Sequence, residues 1–291
     1  MPYLDVATWS FTEAAMSRAR ARKSSRAERG GTLRFVLTVA ILAWLFRSFL
    51  FAPFSIPSGS MLPTLYIGDY LVVEKSPYGF SRHSFPFGFP PFKGRILSHL
   101  PERGDVVVFV PPGDEGEDYV KRVIGLPGDT VEVRSGRVIL NGRPVGLADP
   151  RAVSIPLSPN TPCRHITQQG VSLTNGQRTS CLYRSYRETL PNGASYRIFD
   201  QVSDGVADNF PRTVVPAGHL FLMGDNRDDS LDSRFSEAEG GIGPVPVENL
   251  VGRATMLFWS TDGSASYVKP WTWFSALRGD RIGQGLGSGA K

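Results

Sequence analysis

Two serines bracket a glycine in the run Ile56-Pro57-Ser58-Gly59-Ser60-Met61, and a serine hydroxyl becomes a useful nucleophile only when a neighbouring base takes its proton. Gly59 permits backbone geometries that other residues resist, so the Ser60 amide could point to the same spot as the two hydroxyls, as an oxyanion-binding site requires. A plain serine turn ahead of a strand would use the same residues. Histidine is the usual base. Here His83, His99, His165 and His219 lie in loops flanked by proline or glycine, none beside a carboxylate that would orient the ring.

Lys121 offers an alternative. It sits among Val120, Val123 and Ile124, so one member of the Lys121-Arg122 pair is expected to face the interior of a sheet. Burial strips water from the ammonium form and lowers the pKa, leaving a neutral amine able to act as general base, which arginine cannot do. A solvent-facing Lys-Arg pair is the competing reading, and the company of these residues weighs against it. Asp225, Asn226, Arg227, Asp228, Asp229, Asp232 and Arg234 crowd between two apolar runs. An Asp232/Arg234 network could fix that loop, and the Ser230 hydroxyl could hold the lysine amine in line with the serine. The spacing of these carboxylates does not fit a calcium loop, and two arginines intrude. No metal and no organic cofactor is implied.

Several elements must position this chemistry. Leu33 to Phe54 is an apolar run of about 22 residues, roughly 33 Å as a helix and enough to cross a bilayer core. Arg34 lies at its entry and Arg47 near its far end, where snorkelling is cheapest. A cleaved secretory signal would end in a small-x-small site, which is missing here, and a core helix would show a polar face. Of the net charge of +5, the basic cluster Arg18, Arg20, Arg22, Lys23, Arg26 and Arg29 puts much of the excess before the run. The positive-inside rule then keeps that tail in the cytoplasm and places the chain after about Pro53 outside. The same juxtamembrane placement argues against a nucleic-acid arm. With 31 Gly, 23 Pro and 41% apolar residues, the rest reads as many short strands between turns, a mainly β, antiparallel protein. Asn141-Gly142 marks a hairpin turn. Cys163 and Cys181 fall in one compartment, so a disulfide is open to them; two free thiols and a zinc site with His165 are alternatives, the latter lacking any usual ligand spacing.

Four stretches together resemble the type I signal peptidases: PSGSMLPTL (57–65), RGDVVVF (103–109), YVKRVIGLPGD (119–129) and GDNRDDSLDSR (224–234). Their order and spacing also resemble that family. The resemblance implies a serine endopeptidase with Ser60 as nucleophile, Lys121 as general base, the Ser58 hydroxyl and Ser60 amide as oxyanion donors, Ser230 orienting the lysine, and Asp232 and Arg234 as supporting structure. It further implies cleavage after small residues, in shallow pockets lined by Phe54, Ile56, Pro57, Met61, Leu65, Tyr119 and Val120, with the substrate added along a sheet edge. The expected organisation is a basic cytoplasmic tail (1–31), a single membrane anchor (32–54), two catalytic parts (55–129 and 220–262), an inserted non-catalytic β extension carrying the cysteines (130–219), and a tail (263–291) whose Trp271, Trp273 and Phe274 could meet the membrane interface. The implied partners are signal peptides of exported preproteins, the lipid bilayer of a bacterial cytoplasmic membrane, and in passing the secretion translocon, with no nucleic acid. A peptidase dedicated to one secretion or pilus substrate, and a catalytically silent membrane-tethered binder, are the alternatives.

Overall fold

Val106-Val107-Val108-Phe109 carries no polar side chain, and a strand apolar on both faces must be covered on both. In the computed structural model, which describes residues 31–114, 116–164, 171–174, 177–266 and 268–287, that run lies in the middle of a seven-stranded antiparallel sheet. Its strands are β1 (Phe51–Ser55), β2 (Asp69–Glu74), β3 (Val106–Phe109), β4 (Tyr119–Gly125), β5 (His219–Met223), β6 (Val245–Pro246) and β7 (Leu250–Ser260). They lie side by side as β1-β2-β7-β3-β4-β5-β6. Val106 and Val108 turn to one core with Ile56, Met61, Leu65, Leu71, Val73 and Leu257, while Val107 and Phe109 turn to a second with Val123, Leu220 and Leu222. This is the period-2 alternation of a strand buried on both faces.

Residues 1–47 and 48–291 form two separate units. Within the first, the described residues are helical, and the helix α1 (Gly31–Phe49), 19 residues long, is long and apolar enough to cross a membrane. Leu33, Phe35, Leu37, Ile41 and Leu42 are exposed along it, unlike the side chains of a core helix. The basic tail before it lies outside the described residues, as does His165. The expected anchor of 32–54 is corrected at its far end. Helix α1 stops at Phe49, and Phe51–Ser55 instead pairs with Asp69–Glu74 as an edge strand. Pro53 explains the change: inside a helix it would cost a hydrogen bond and clash with the preceding turn, whereas an edge strand tolerates a missing donor.

Two four-stranded sheets come from residues 130–214. One runs Phe210–Val214, Thr130–Arg134, Arg137–Leu140, Arg143–Pro144, and the other joins Gly146–Pro156, Gln177–Thr189, Val171–Thr174 and Ser195–Phe199. Asn141-Gly142 does make a tight turn, both residues at positive φ. Ser135-Gly136 makes another in the same way, so the expected hairpin is a three-stranded meander. These sheets share a core with the central one, since Ile124, Phe221 and Met223 pack with Val131, Val138, Leu140 and Ile198. The Arg103-Gly104-Asp105 run is a turn tied on both sides, Arg103 to Asp129 and Asp105 to the Tyr78 hydroxyl.

Cys163 and Cys181 are joined in a disulfide, which removes the zinc and free-thiol readings. Cys181 is buried beside Leu62, Ile155, Tyr183 and Phe199, so the bridge closes a loop against the underside of the segment that bears Ser60. The paired change Cys163→Ala, Cys181→Ala should lower unfolding stability in denaturant titrations by about 3 kcal/mol. An unchanged midpoint would show that the bridge constrains nothing.

Candidate active site

Residues 57–65 leave β1 and fold into a turn with Met61, Leu62 and Leu65 buried beneath it, which lifts Ser58 and Ser60 to its upper side. Gly59 does not take up a left-handed φ, contrary to the backbone argument above. The space at Gly59 is snug without requiring glycine: a Cβ there would lie 3.3 Å from the end of the Leu62 side chain and 3.4 Å from the Asp229 carboxylate. Ser58 Oγ and Ser60 Oγ are 3.2 Å apart. The Ser60 amide donates to no acceptor among the described residues.

Strand β4 brings Lys121 to the same place, its Nζ donating to Ser60 Oγ at 2.6 Å. Lys121 is only 5% exposed. Burial pulls its pKa down to about 8; Asp232 opposes the shift, Arg234 adds to it, and Asp229 and Asp225 oppose it more weakly. A pKa near 8 leaves about a tenth of the amine uncharged at pH 7, and in that form the contact runs in the other direction, with the hydroxyl donating into the nitrogen lone pair.

Both members of the Lys121-Arg122 pair are buried, where only one was expected. Arg122, 2% exposed, points to the opposite face, chelates the Asp225 carboxylate at 2.7 and 2.6 Å and stacks on the Tyr196 ring at 3.9 Å. It can be inside because a bidentate partner compensates its desolvation.

The polar loop after β5 is knitted by two further buried ion pairs. Arg234 grips Asp232 at 2.8 and 2.9 Å, and Asp232 also accepts the Gly224 amide at 2.9 Å. Against the upward push of burial, the Arg234 charge and these donors hold the Asp232 carboxyl below the usual range. Arg227 is chelated by Glu188, a residue of the Gln177–Thr189 strand that the sequence reading did not single out. Gly224 must be glycine, since a Cβ would fall 2.3 Å from Ser230 Oγ and 2.6 Å from the Ser60 carbonyl. The loop is thus pressed against the serine turn. Asn226 joins the two, its amide donating to Ser60 O at 3.0 Å and its Nδ2 to Gly59 O at 3.1 Å.

Together these elements line a cleft of about 480 Å³. Ser58, Ser60, Lys121 and Ser230 meet there, with Ile56, Pro57, Met61, Tyr119 and Val120 on its walls. Phe54 and Leu65 do not reach it: Leu65 is fully buried in the core below, and Phe54 packs on the same core. Ser230 is present and its hydroxyl lies within reach of the Asp232 carboxylate, but the expected hydrogen bond with Lys121 is not made. Glu117, Asp118, Leu231 and Phe235, also on the walls, were not foreseen. Neither edge charges nor loop apolar residues carry a sequence signal that separates a cleft wall from ordinary surface.

No described histidine reaches the cleft. His99 and His219 contact the carbonyls of their own turns. Asp200, Asp208 and Asp228 hold carboxylate oxygens within 4.8 Å of one another. Asp208 already accepts the Gly205 amide and Asp228 those of Gln201 and Val202. Burial, with repulsion from Asp228 and Asp208, lifts the Asp200 carboxyl to about 6, as expected of crowded carboxyls that share protons.

Comparison with known proteins agrees with this geometry. The family model described as signal peptidase, peptidase S26, matches residues 29–259. Signal peptidase I of Rickettsia canadensis (strain McKiel) is 36% identical over 231 residues, 77% of each chain. That of Rickettsia massiliae (strain Mtu5) is 33% identical over 253 residues, 84% of each. A crystal structure of a signal peptidase I from Enterococcus faecalis V583 matches at 23% identity with a TM-score of 0.28, covering 54% of this chain and 98% of that one; so slight a likeness bears on neither fold nor function. The family match over most of the chain, joined to relatives above 30% identity, settles membership: this chain belongs to the signal peptidase family, peptidase S26.

Proposed function

We propose that this chain removes signal peptides from exported preproteins as a serine endopeptidase, with Ser60 as nucleophile and Lys121 as general base. The observation that carries the residue roles is the 2.6 Å contact between Lys121 Nζ and Ser60 Oγ in a place dry enough to bring the amine to about 8. A silent binding module has no use for that arrangement, since a desolvated amine costs stability.

The outer edge of Tyr119–Lys121 supports the mode of substrate binding. Strand β3 covers one side of these residues, but β5 pairs with β4 only from Arg122 onward. An extended peptide can add there, opposite residues 56–58, by main-chain hydrogen bonds. Ile56, Met61 and Val120 then leave little depth for its side chains, which favours small residues beside the cleaved bond.

In the reaction, neutral Lys121 Nζ takes the Ser60 proton as Oγ attacks the scissile carbonyl carbon. The carbonyl oxygen becomes an oxyanion facing the Ser60 N–H and, once its hydroxyl turns from Ser60 Oγ, Ser58. On collapse the C–N bond breaks, the ammonium of Lys121 returns the proton to the departing amine, and an ester to Ser60 remains. Water, deprotonated by Lys121, attacks the ester carbon; the bond from that carbon to Ser60 Oγ breaks, Lys121 returns the proton to Oγ, and the signal peptide leaves with a free carboxylate. Asp232 and Arg234 fix the loop that carries Ser230, which lines the cleft without a hydrogen bond to the lysine. Residues 130–219 act through structure, Glu188 chief among them. Helix α1 anchors the catalytic unit on the membrane that holds the substrate's signal helix, with the N-terminal tail cytoplasmic and the cleft outside, which raises the encounter rate. The exposed Trp271, Trp273 and Phe274 fit the interface of that bilayer. The secretion translocon is a passing neighbour in this scheme.

Three outcomes check this reading. With a purified preprotein in detergent, Ser60→Ala and Lys121→Ala should each fold yet lose activity by about a thousandfold or more, and sequencing should place the wild-type product's new N-terminus after a small-x-small motif. Retention of full rate by Lys121→Ala would assign the base elsewhere. In a pH profile, kcat/KM should fall about tenfold per unit on the acid side of a limb near 8 as the amine protonates; a limb only above pH 10 would contradict a buried base. Glu188→Ala should destabilise the fold by about 3–5 kcal/mol by stranding buried Arg227, and a loss below about 1 kcal/mol would show the pair to be dispensable.

A further inference from the structure

The Ser60 N–H and the Gly59 C=O belong to one trans peptide unit and therefore point in opposite directions. Whatever fixes the carbonyl aims the amide. Gly59 O accepts two hydrogen bonds, from Leu62 N at 3.1 Å and from Asn226 Nδ2 at 3.1 Å, so both of its lone pairs are engaged. One residue further on, Ser60 O accepts the Asn226 amide at 3.0 Å. Asn226 thus holds the carbonyls on both sides of the nucleophile, while the Ser60 N–H is left without an acceptor among the described residues.

The clamp is itself well held. Asn226 is 2% exposed, forms a parallel bridge with Phe199 and accepts the Asp229 amide at 3.1 Å. Its two chain neighbours, Asp225 and Arg227, are each locked in a buried ion pair. The group facing the Gly59 carbonyl must be a donor, so an ionised aspartate could not replace Asn226. Donation into the Gly59 carbonyl also polarises the shared amide, which strengthens the Ser60 N–H as a donor.

We propose that Asn226 is a positioning residue: its side-chain amide orients and polarises the Gly59-Ser60 peptide so that the Ser60 N–H meets the oxyanion. The inference rests on Ser60 being the nucleophile. A developing oxyanion gains more from an aimed donor than a ground-state carbonyl does, so the effect belongs in kcat and not in KM.

The test uses the full-length enzyme in detergent with Asn226→Ala and Asn226→Leu, both of which keep the backbone amide and lose only Nδ2. The expected result is a fall in kcat of about 10- to 100-fold, below the cost of deleting an oxyanion donor outright, with KM within about twofold. Affinity for a peptide aldehyde, which forms a hemiacetal with the serine, should fall by a similar factor, while the acid limb of the pH profile stays where it is. Wild-type kcat in the variants, with Ser60→Ala silent, would overturn the inference alone. So would a loss confined to KM, or a moved acid limb, which would tie Asn226 to the lysine instead. If Asn226→Ala does not fold, the similarly sized Asn226→Leu decides by the same readouts. Activity surviving in Ser60→Ala would instead remove the nucleophile assignment.

Discussion

The structure turns on keeping water away from one amine. Lys121 Nζ must reach Ser60 Oγ and must also be neutral for part of the time near physiological pH. Desolvation supplies most of the second condition, because of the surrounding charges only Arg234 works with it, while Asp232, Asp229 and Asp225 favour the ammonium form. The lysine therefore stands on a strand of a sheet covered on both faces, where its backbone is fixed by β3 and its side chain leans on protein. Arg234 assists by electrostatics, and its own charge is held in place by Asp232. The ion pair both supports the loop and tempers the field at the amine.

Three buried ion pairs, Arg122–Asp225, Glu188–Arg227 and Asp232–Arg234, surround a site whose chemistry needs none of them directly. Such pairs add little net stability over an apolar core. Their value here is geometric. A loop with so many polar groups has many ways to lie on a surface, and bidentate pairs at both ends leave few. Asn226, held between two of the pairs, is then able to grip the serine turn at the peptide where an error of about 1 Å would matter most. The inserted sheets contribute through Glu188 and Phe199, and so a segment that carries neither the serine nor the lysine helps to set the precision of the site.

What could be read from the sequence were features that depend on residue type and local period. The Ser-Gly-Ser turn, the lysine in an apolar strand, the apolar helix and the antiparallel sheet of short strands all belong to that group. Pro53 already marks the end of the helix, but a run of hydrophobic residues conceals it. Features that depend on two distant segments meeting were not legible. Arg122 looked like surface because nothing near it in sequence neutralises it; its partner Asp225 lies 103 residues away. Asn226 looked like one polar residue among seven, and its meeting with Gly59, 167 residues away, is invisible to any local pattern. Leu65 and Phe54 were placed on the cleft by the resemblance alone, yet the serine turn between them needs a floor, and they help to build it.

The central claim is that burial makes Lys121 a base, and the most direct measurement is titration of that one side chain in the folded enzyme. Selective isotope labelling of lysine, with Lys121→Ala used to assign the signal, allows its ionisation to be followed by NMR. The account predicts a midpoint near 8 that moves toward the ordinary value when the protein is unfolded. A midpoint at the roughly 10.4 of a solvated lysine in the folded, active enzyme would contradict it.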